Sequence, residues 1–296
     1  MAYNMSVPIN YLYLLSKATL GSPQHRQVVL DYGCGSGQII EEGRKAGVQI
    51  YGAEVFYEGG TTRPEIEKKG WLGNIVREIE HGVIPFDDHF FDLVISNMVF
   101  EHIPDLDGVL SEILRVLKPG GTLLCMFPSK EVIREGHCGL PFIHWFPKRS
   151  KLRFYYAVAL RKMGFGYHKG DKSASQWASY VLQWLDAFTC YRDRQTIFSS
   201  FRRYFAFSLV EHDYIIFRLN THGRTLLSRI FQLPFIRPIG CELFRRLAGL
   251  VILARKGDNP EPILITGNQK VFSSTATSPA QVKACKGPSV GHGSTI

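Results

Sequence analysis

No run in the 296-residue sequence reaches the roughly 18 apolar residues that a helix needs to cross a bilayer, and the longest candidate, residues 247–254, is only strand-length. The first residues, MAYNMSVPIN, lack the basic patch and apolar core of a signal peptide, so no leader is expected. Cysteine is sparse: six are scattered at Cys34, Cys125, Cys138, Cys190, Cys241 and Cys285, none at paired metal-ligand spacing. They read as reduced thiols, which predicts no metal centre and a cytoplasmic protein. Internal repeats are absent, and so is the Gly-Lys-Ser/Thr of a Walker-type phosphate loop. Acidic residues are scarce in the later part of the chain. Residues 141–256 hold 6 Asp/Glu against 20 Lys/Arg, whereas residues 1–140 hold 18 against 12. The acidic half suits a cationic ligand. The basic half suits an anionic surface (phospholipid, a phosphorylated acceptor or nucleic acid) or is simply a solvated basic face. What is present, 45% hydrophobic and 21% charged residues, is the composition of a folded chain with room for one large α/β domain or a domain with an insertion.

Residues 28–126 alternate short apolar runs with helical patterns, as in βαβ units around a parallel sheet. Residues 27–30 form the first expected strand, ending at Asp31 and followed by a glycine turn and a helix to about Ala46. Residues 48–53 form the second, ending at Glu54, and residues 92–96 a third clear one. Asp107 is placed to cap a helix with apolar positions Val109, Leu110, Ile113, Leu114 and Leu117, stopped by the turn Lys118-Pro119-Gly120-Gly121. Residues 122–127 are the next strand. A loop rich in aromatics, His, Gly and Pro follows at 129–149, then helical patterns at 152–163, 175–189 and 195–204. Residues 205–219 are expected to hold a strand or two short ones. A basic, apolar stretch at 225–247 is broken by Pro234 and Pro238, and 248–254 is the last strand. The pattern predicts a doubly wound α/β fold with a mostly parallel sheet.

The strongest motif is Val28-Val29-Leu30-Asp31-Tyr32-Gly33-Cys34-Gly35-Ser36-Gly37, a buried strand entering a turn with glycine at every second position. Bare backbone lets a ligand come close, and the helix that follows offers free N–H groups. A dinucleotide pyrophosphate usually takes G-x-G-x-x-G, but here the third position is Gln38, which weighs against NAD and FAD. Glu54 ends the second strand about 20 residues on, where a carboxylate accepts ribose hydroxyls; an exposed strand-end charge is the plainer alternative.

The segments DYGCGSG (31–37), YGAE (51–54), IPFDDHFFDLVISNMVFEH (84–102) and EILRVLKPGGTLLCMFP (112–128) together resemble the class I S-adenosylmethionine-dependent methyltransferases, in the methyltransferase type 11 group. The resemblance covers about residues 28–128. It implies S-adenosyl-L-methionine as cofactor on a Rossmann-like fold, with a helical insertion after the fifth strand. It implies that Asp31, Gly33, Cys34, Gly35 and Gly37 hold the methionyl part and that Glu54 binds ribose. The adenine amine would meet an acid before the Pro-Phe pair. Glu78 and Glu80 are both available, with Glu78 preferred and Ile79 lining the base. Asn97, at a strand end, would position cofactor or acceptor, or merely cap the strand. The expected division is 1–27 as a helical lead, 28–130 as cofactor-binding core and 131–205 as an aromatic, basic lid and acceptor-binding insertion. Residues 206–256 would be late strands completing the sheet, and 257–296 a disordered tail.

Displacement at a methyl sulfonium asks a protein mainly for positioning and water exclusion, with no metal required, although an oxygen acceptor must also lose a proton. Three histidines are candidate bases: His102 after the fourth strand, and His137 and His144 in the loop after the fifth. Each has a structural alternative, a helix-orienting role for His102 and loop packing for the others. The stretch HGRTLLSRIFQLPFIRPIGCELFRRL (222–247) combines Arg with Leu, Ile and Phe and could lie on an anionic membrane at its inner face, or pack on the sheet. The expected acceptor is a small molecule, glycan or lipid-linked compound, methylated at oxygen. The alternatives are carbon methylation of a quinone-like lipid, RNA methylation, or a noncatalytic binding protein on the same fold. RNA ranks low, because no RNA-binding module and no Asn-Pro-Pro-Tyr-type motif is present.

Overall fold

Five short runs between residues 28 and 127, most of them apolar on both faces, lie side by side because only a sheet covered on both sides can bury them. The computed structural model describes residues 7–18, 27–57 and 61–257. The tail expected from 257 onward therefore lies outside the described residues except for Gly257, and so does part of the expected N-terminal lead. In chain order the elements are α1 (Ile9–Ala18), β1 (Val28–Tyr32), α2 (Gln38–Lys45), β2 (Gln49–Glu54), α3 (Thr62–Lys68), β3 (Val76–Glu78), β4 (Phe91–Asn97), α4 (Leu106–Val116) and β5 (Leu117–Phe127). These are followed by α5 (Lys151–Lys162), α6 (Ala174–Phe188), α7 (Arg194–Tyr204), β6 (Ala206–Leu209), α8 (Glu211–Thr221), α9 (Thr225–Phe231), α10 (Ile236–Leu247) and β7 (Leu250–Arg255).

The sheet runs β3-β2-β1-β4-β5-β7-β6, with β7 antiparallel to both of its neighbours and the other pairings parallel. This is the doubly wound, mostly parallel sheet that the sequence pattern predicts. Neighbouring residues on a strand serve opposite faces, as a two-residue side-chain period requires. Leu30, Val94, Leu123 and Ile252 pack with Leu110 and Ile113 of α4 and Ile197 and Phe201 of α7. Val29, Ile95, Leu124 and Val251 pack with Leu14 of α1, Ile40 of α2, Ile66 of α3 and Tyr214 of α8.

Four local expectations change. Asp105, not Asp107, caps α4, its carboxylate accepting from the Gly108 N–H at 3.0 Å. Asp107 lies within the first turn and is bonded by Arg203. The expected second strand within 205–219 is instead α8. Tyr214 and Phe217, three apart, both press on the ring of Tyr13 in α1, a spacing that only a helix brings to one face. Pro238 does not break the 225–247 stretch: it sits in the first turn of α10, where its missing N–H is not needed, and Pro234 alone falls in the gap. The stretch expected as one insertion, 131–205, divides in two. Cys138, Leu140, Ile143, Ala157, Trp177, Val181 and Leu185 form a small core of their own, while α7 belongs to the main core. Among the described residues no helix is long and apolar enough to cross a membrane.

Candidate cofactor and acceptor site

Strand order reverses between β1 and β4, and ligands of open α/β sheets gather beyond the strand ends at such a point. There the chain makes its glycine turn. Gly33 donates to the Ala53 carbonyl at 2.8 Å, Gly37 to the Cys34 carbonyl at 2.9 Å, and Lys69 Nζ holds the Ser36 carbonyl at 2.9 Å. Gly33 and Gly37 take left-handed φ of 75° and 77°, and a Cβ on them would strike Val99 at 2.4 Å or the Trp71 ring at 2.9 Å. Gly35 differs: nothing lies within 4 Å of where its Cβ would be. The loop is thus packed behind Gly33 and Gly37 and open at Gly35, over a hollow lined by Tyr11, Asp31, Gln38, Ile39 and Asn97 among others.

Asp31 is 1% exposed, and its Oδ2 has no hydrogen-bond partner. Burial, then the nearby Glu54 charge, pushes its carboxyl up to about 8. Glu54 is fixed at the end of β2, with Oε2 accepting from Gly35 N–H at 2.5 Å and Oε1 from Val55 N–H at 2.9 Å. Burial raises its pKa, and these two N–H groups act against the rise. The Cys34 side chain packs into the core cluster that includes Ile40 and Ile50, and its Sγ donates to the Gly35 carbonyl within the turn at 3.9 Å. Glu78 stands opposite Glu54 in the β2–β3 register, but its carboxylate is held by Arg63 at 2.7 Å. Ile79 is buried, and its N–H donates to the Glu54 carbonyl at 2.8 Å; Glu80 is exposed. Asn97 Oδ1 accepts from Asn10 Nδ2 at 2.7 Å, so α1 closes on the hollow from the far end of the chain. Tyr11, whose pKa is raised by burial and by Asp31, comes with it. Sequence reasoning passed over Asn10 and Tyr11, because nothing local marks a contact that spans 87 residues.

On the insertion side, His102 and His137 meet, their ring centroids 5.0 Å apart, with the Trp184 ring of α6 5.0 Å from His137. His102 Nδ1 bonds the Phe188 carbonyl at 2.6 Å, and His137 Nδ1 bonds Glu135 Oε1 at 2.6 Å. Tyr191 donates to the same Glu135 oxygen at 2.7 Å. Burial alone would raise the Glu135 carboxyl, but its donors (His137, Tyr191 and the Cys138 N–H) hold it at about 2. Burial pulls His137 down, yet Glu135 outweighs it and the net shift is upward; burial lowers His102. His144 is not part of this pair. Its ring is 8% exposed, lies 4.7 Å from that of Tyr191 and bonds the Lys130 carbonyl through Nε2. Glu101 and Glu135 were not anticipated, although each stands within two residues of a histidine that was.

A family model described as a methyltransferase domain matches residues 30–125. Demethylmenaquinone methyltransferase of Symbiobacterium thermophilum is 30% identical over 148 residues, 43% of this chain and 57% of that protein. Malonyl-[acyl-carrier protein] O-methyltransferase of Yersinia pestis is 31% identical over 105 residues, 36% of this chain and 38% of that one. A solved S-adenosylmethionine-dependent methyltransferase from Mesorhizobium loti, 14% identical, aligns over 86% of this chain and all of its own with a TM-score of 0.49. The chain thus spans little more than half the length of the first of these curated relatives, and less of the second. The sheet, with its antiparallel β7 between β5 and β6, has the doubly wound Rossmann-like architecture that the resemblance implies, and residues 30–125 match the methyltransferase-domain model.

Proposed function

We propose that the chain is an S-adenosylmethionine-dependent methyltransferase. The observation that carries this is the hollow at Gly35, open to a ligand and flanked by an unpaired buried carboxylate oxygen of Asp31 and the fixed carboxylate of Glu54. The residues fit the cofactor chemically. Asp31 faces the methionyl ammonium, which gives its orphaned oxygen a cationic partner. Glu54 keeps a second lone pair on each oxygen for ribose hydroxyls. Ile79 packs on the adenine, and Glu78, beside Glu54 in the β2–β3 register and bonded by Arg63 through one oxygen only, accepts from its amine. When bound, the cofactor supplies an electrophilic methyl group on a sulfonium. The chain orients it and, through α1 and the insertion, excludes water.

For the acceptor, we infer a compound with an apolar tail taken from a membrane surface and methylated at oxygen. Leu226, Leu227, Ile230, Leu233, Phe235, Ile239, Leu243 and Leu247 of the α9–α10 hairpin are 39–71% exposed. So much apolar area on one short segment, among arginines, suits insertion into an interface of anionic lipid. The hairpin adjoins the site loop, since Ile133 N–H donates to the Arg246 carbonyl at 2.7 Å. A second reading, carbon methylation of a quinone-like lipid, is favoured by the likeness to the Symbiobacterium protein.

The test is thermal unfolding with and without S-adenosylhomocysteine, followed by transfer of labelled methyl from S-adenosylmethionine into lipid, glycan and small-molecule fractions. Cofactor product raises Tm, and Glu54→Ala reduces that rise. An unchanged Tm at saturating ligand removes the reading, and the labelled atom in the product separates oxygen from carbon transfer.

A further inference from the structure

A base at the acceptor needs one oriented histidine, yet this structure builds two and adds an acid. Donor atoms of Glu101, His102 and His137 all lie within 4.8 Å of one another. Glu101 is 2% exposed, and its Oε2 has no hydrogen-bond partner. Its other oxygen is 3.9 Å from His102 Nε2, too far for a hydrogen bond but within the span of two metal–ligand bonds of ~2.1 Å. Both histidines use Nδ1 on an acceptor, the Phe188 carbonyl for His102 and Glu135 for His137. That fixes the tautomer in which Nε2 carries a lone pair. It is also the supporting arrangement usual around metal-bound imidazoles, with a carbonyl or carboxylate behind each ring. Glu135 is itself held by Tyr191 and the Cys138 N–H, so the support extends one shell further. A buried carboxylate without a partner is costly unless a cation meets it.

We propose that Glu101, His102 and His137 bind one divalent cation of the Zn2+, Mn2+ or Fe2+ type. Two imidazoles and one carboxylate suit such ions and leave coordination positions open. The histidine side chains are 28% and 31% exposed, so those positions are reachable from solvent. An acceptor oxygen is the natural further ligand, which would orient it beside the cofactor hollow. That last role rests on the methyltransferase reading; cation binding itself does not.

The experiment titrates the chelator-treated, tag-free full chain with Co2+ by visible absorption and with Zn2+ by calorimetry. One equivalent binds, with a nitrogen–oxygen ligand spectrum and no thiolate-to-cobalt band. Glu101→Gln or His137→Gln abolishes this binding, and Glu135→Gln weakens it by about 10–100-fold. The Tm rise with S-adenosylhomocysteine, measured on each variant, shows that the fold survives. Absence of stoichiometric binding, a thiolate band, or binding indifferent to Glu101→Gln and His137→Gln overturns the site. Cation binding without any response to S-adenosylhomocysteine would instead leave the site standing and sink the cofactor reading.

Discussion

Asp31 sits where burial and a neighbouring acid both oppose its charge, which makes it the residue most responsive to a cationic ligand. Its carboxyl titrates near 8 in the folded chain against 3.8 for an unperturbed aspartate. The folded state therefore holds an extra proton between those values, so stability without ligand falls as pH rises from about 4 to 8. A cation beside Asp31 favours its ionised form and expels that proton on binding. Affinity for S-adenosylhomocysteine should accordingly rise from pH 6.5 to 8, by at most about tenfold per pH unit, and Asp31→Asn should flatten the profile. Calorimetry in buffers of different ionisation enthalpy would detect the released proton; none released at pH 7 would refute the assignment. At this scale the sequence was most informative where chemistry is local. The glycine turn and Glu54 are readable from spacing alone, because strand, turn and strand end are covalently adjacent or one βαβ unit apart. Asn10, Tyr11 and Tyr191 are not, since they reach their partners only through the tertiary fold.

Among elements, α6 shows how much a helix declares itself. Ser173 and Gln176 form a capping box: Ser173 Oγ accepts from Gln176 N–H at 3.3 Å, and Gln176 Oε1 accepts from Ser173 N–H at 3.0 Å. The helix thus starts at Ala174, one residue before the start that periodicity suggests, with Ser173 as its cap. Ser173→Ala should cost the insertion about 1 kcal/mol. Hydrogen exchange would show the loss confined to α5 and α6, with the S-adenosylhomocysteine response intact; loss spread across the sheet would mean that the two cores unfold together. In α8, by contrast, Ile215-Ile216-Phe217 favours a strand by residue type, and tertiary packing overrides it. Tyr214 and Phe217 reach Tyr13, while Glu211, 1% exposed, receives two hydrogen bonds of 3.1 Å from Arg245. A period of three competing with a run of β-branched residues is ambiguous until the partner helix is known.

For the molecule as a whole, the split between an acidic first half and a basic second half has a spatial counterpart in the exposed α9–α10 hairpin. Its arginines are not equivalent. Arg245 is engaged by Glu211, and Arg246 by Glu242 at 2.9 Å, whereas Arg229 and Arg237 make no ion pair among the described residues. Cosedimentation with phosphatidylglycerol vesicles should thus depend on Arg229 and Arg237 and weaken with salt, while Leu226→Asp with Ile239→Asp should abolish it. Equal pelleting of the double variant would exclude this face as the contact. The insertion carries a different consequence. Residues between Cys138 and Leu185 bury Trp177 and its neighbours against one another, in a cluster separate from those that cover the sheet. Changes inside that cluster can therefore be absorbed without disturbing the packing behind Gly33 and Gly37, whose neighbours Val99, Trp71 and Ile66 belong to the sheet's own cores.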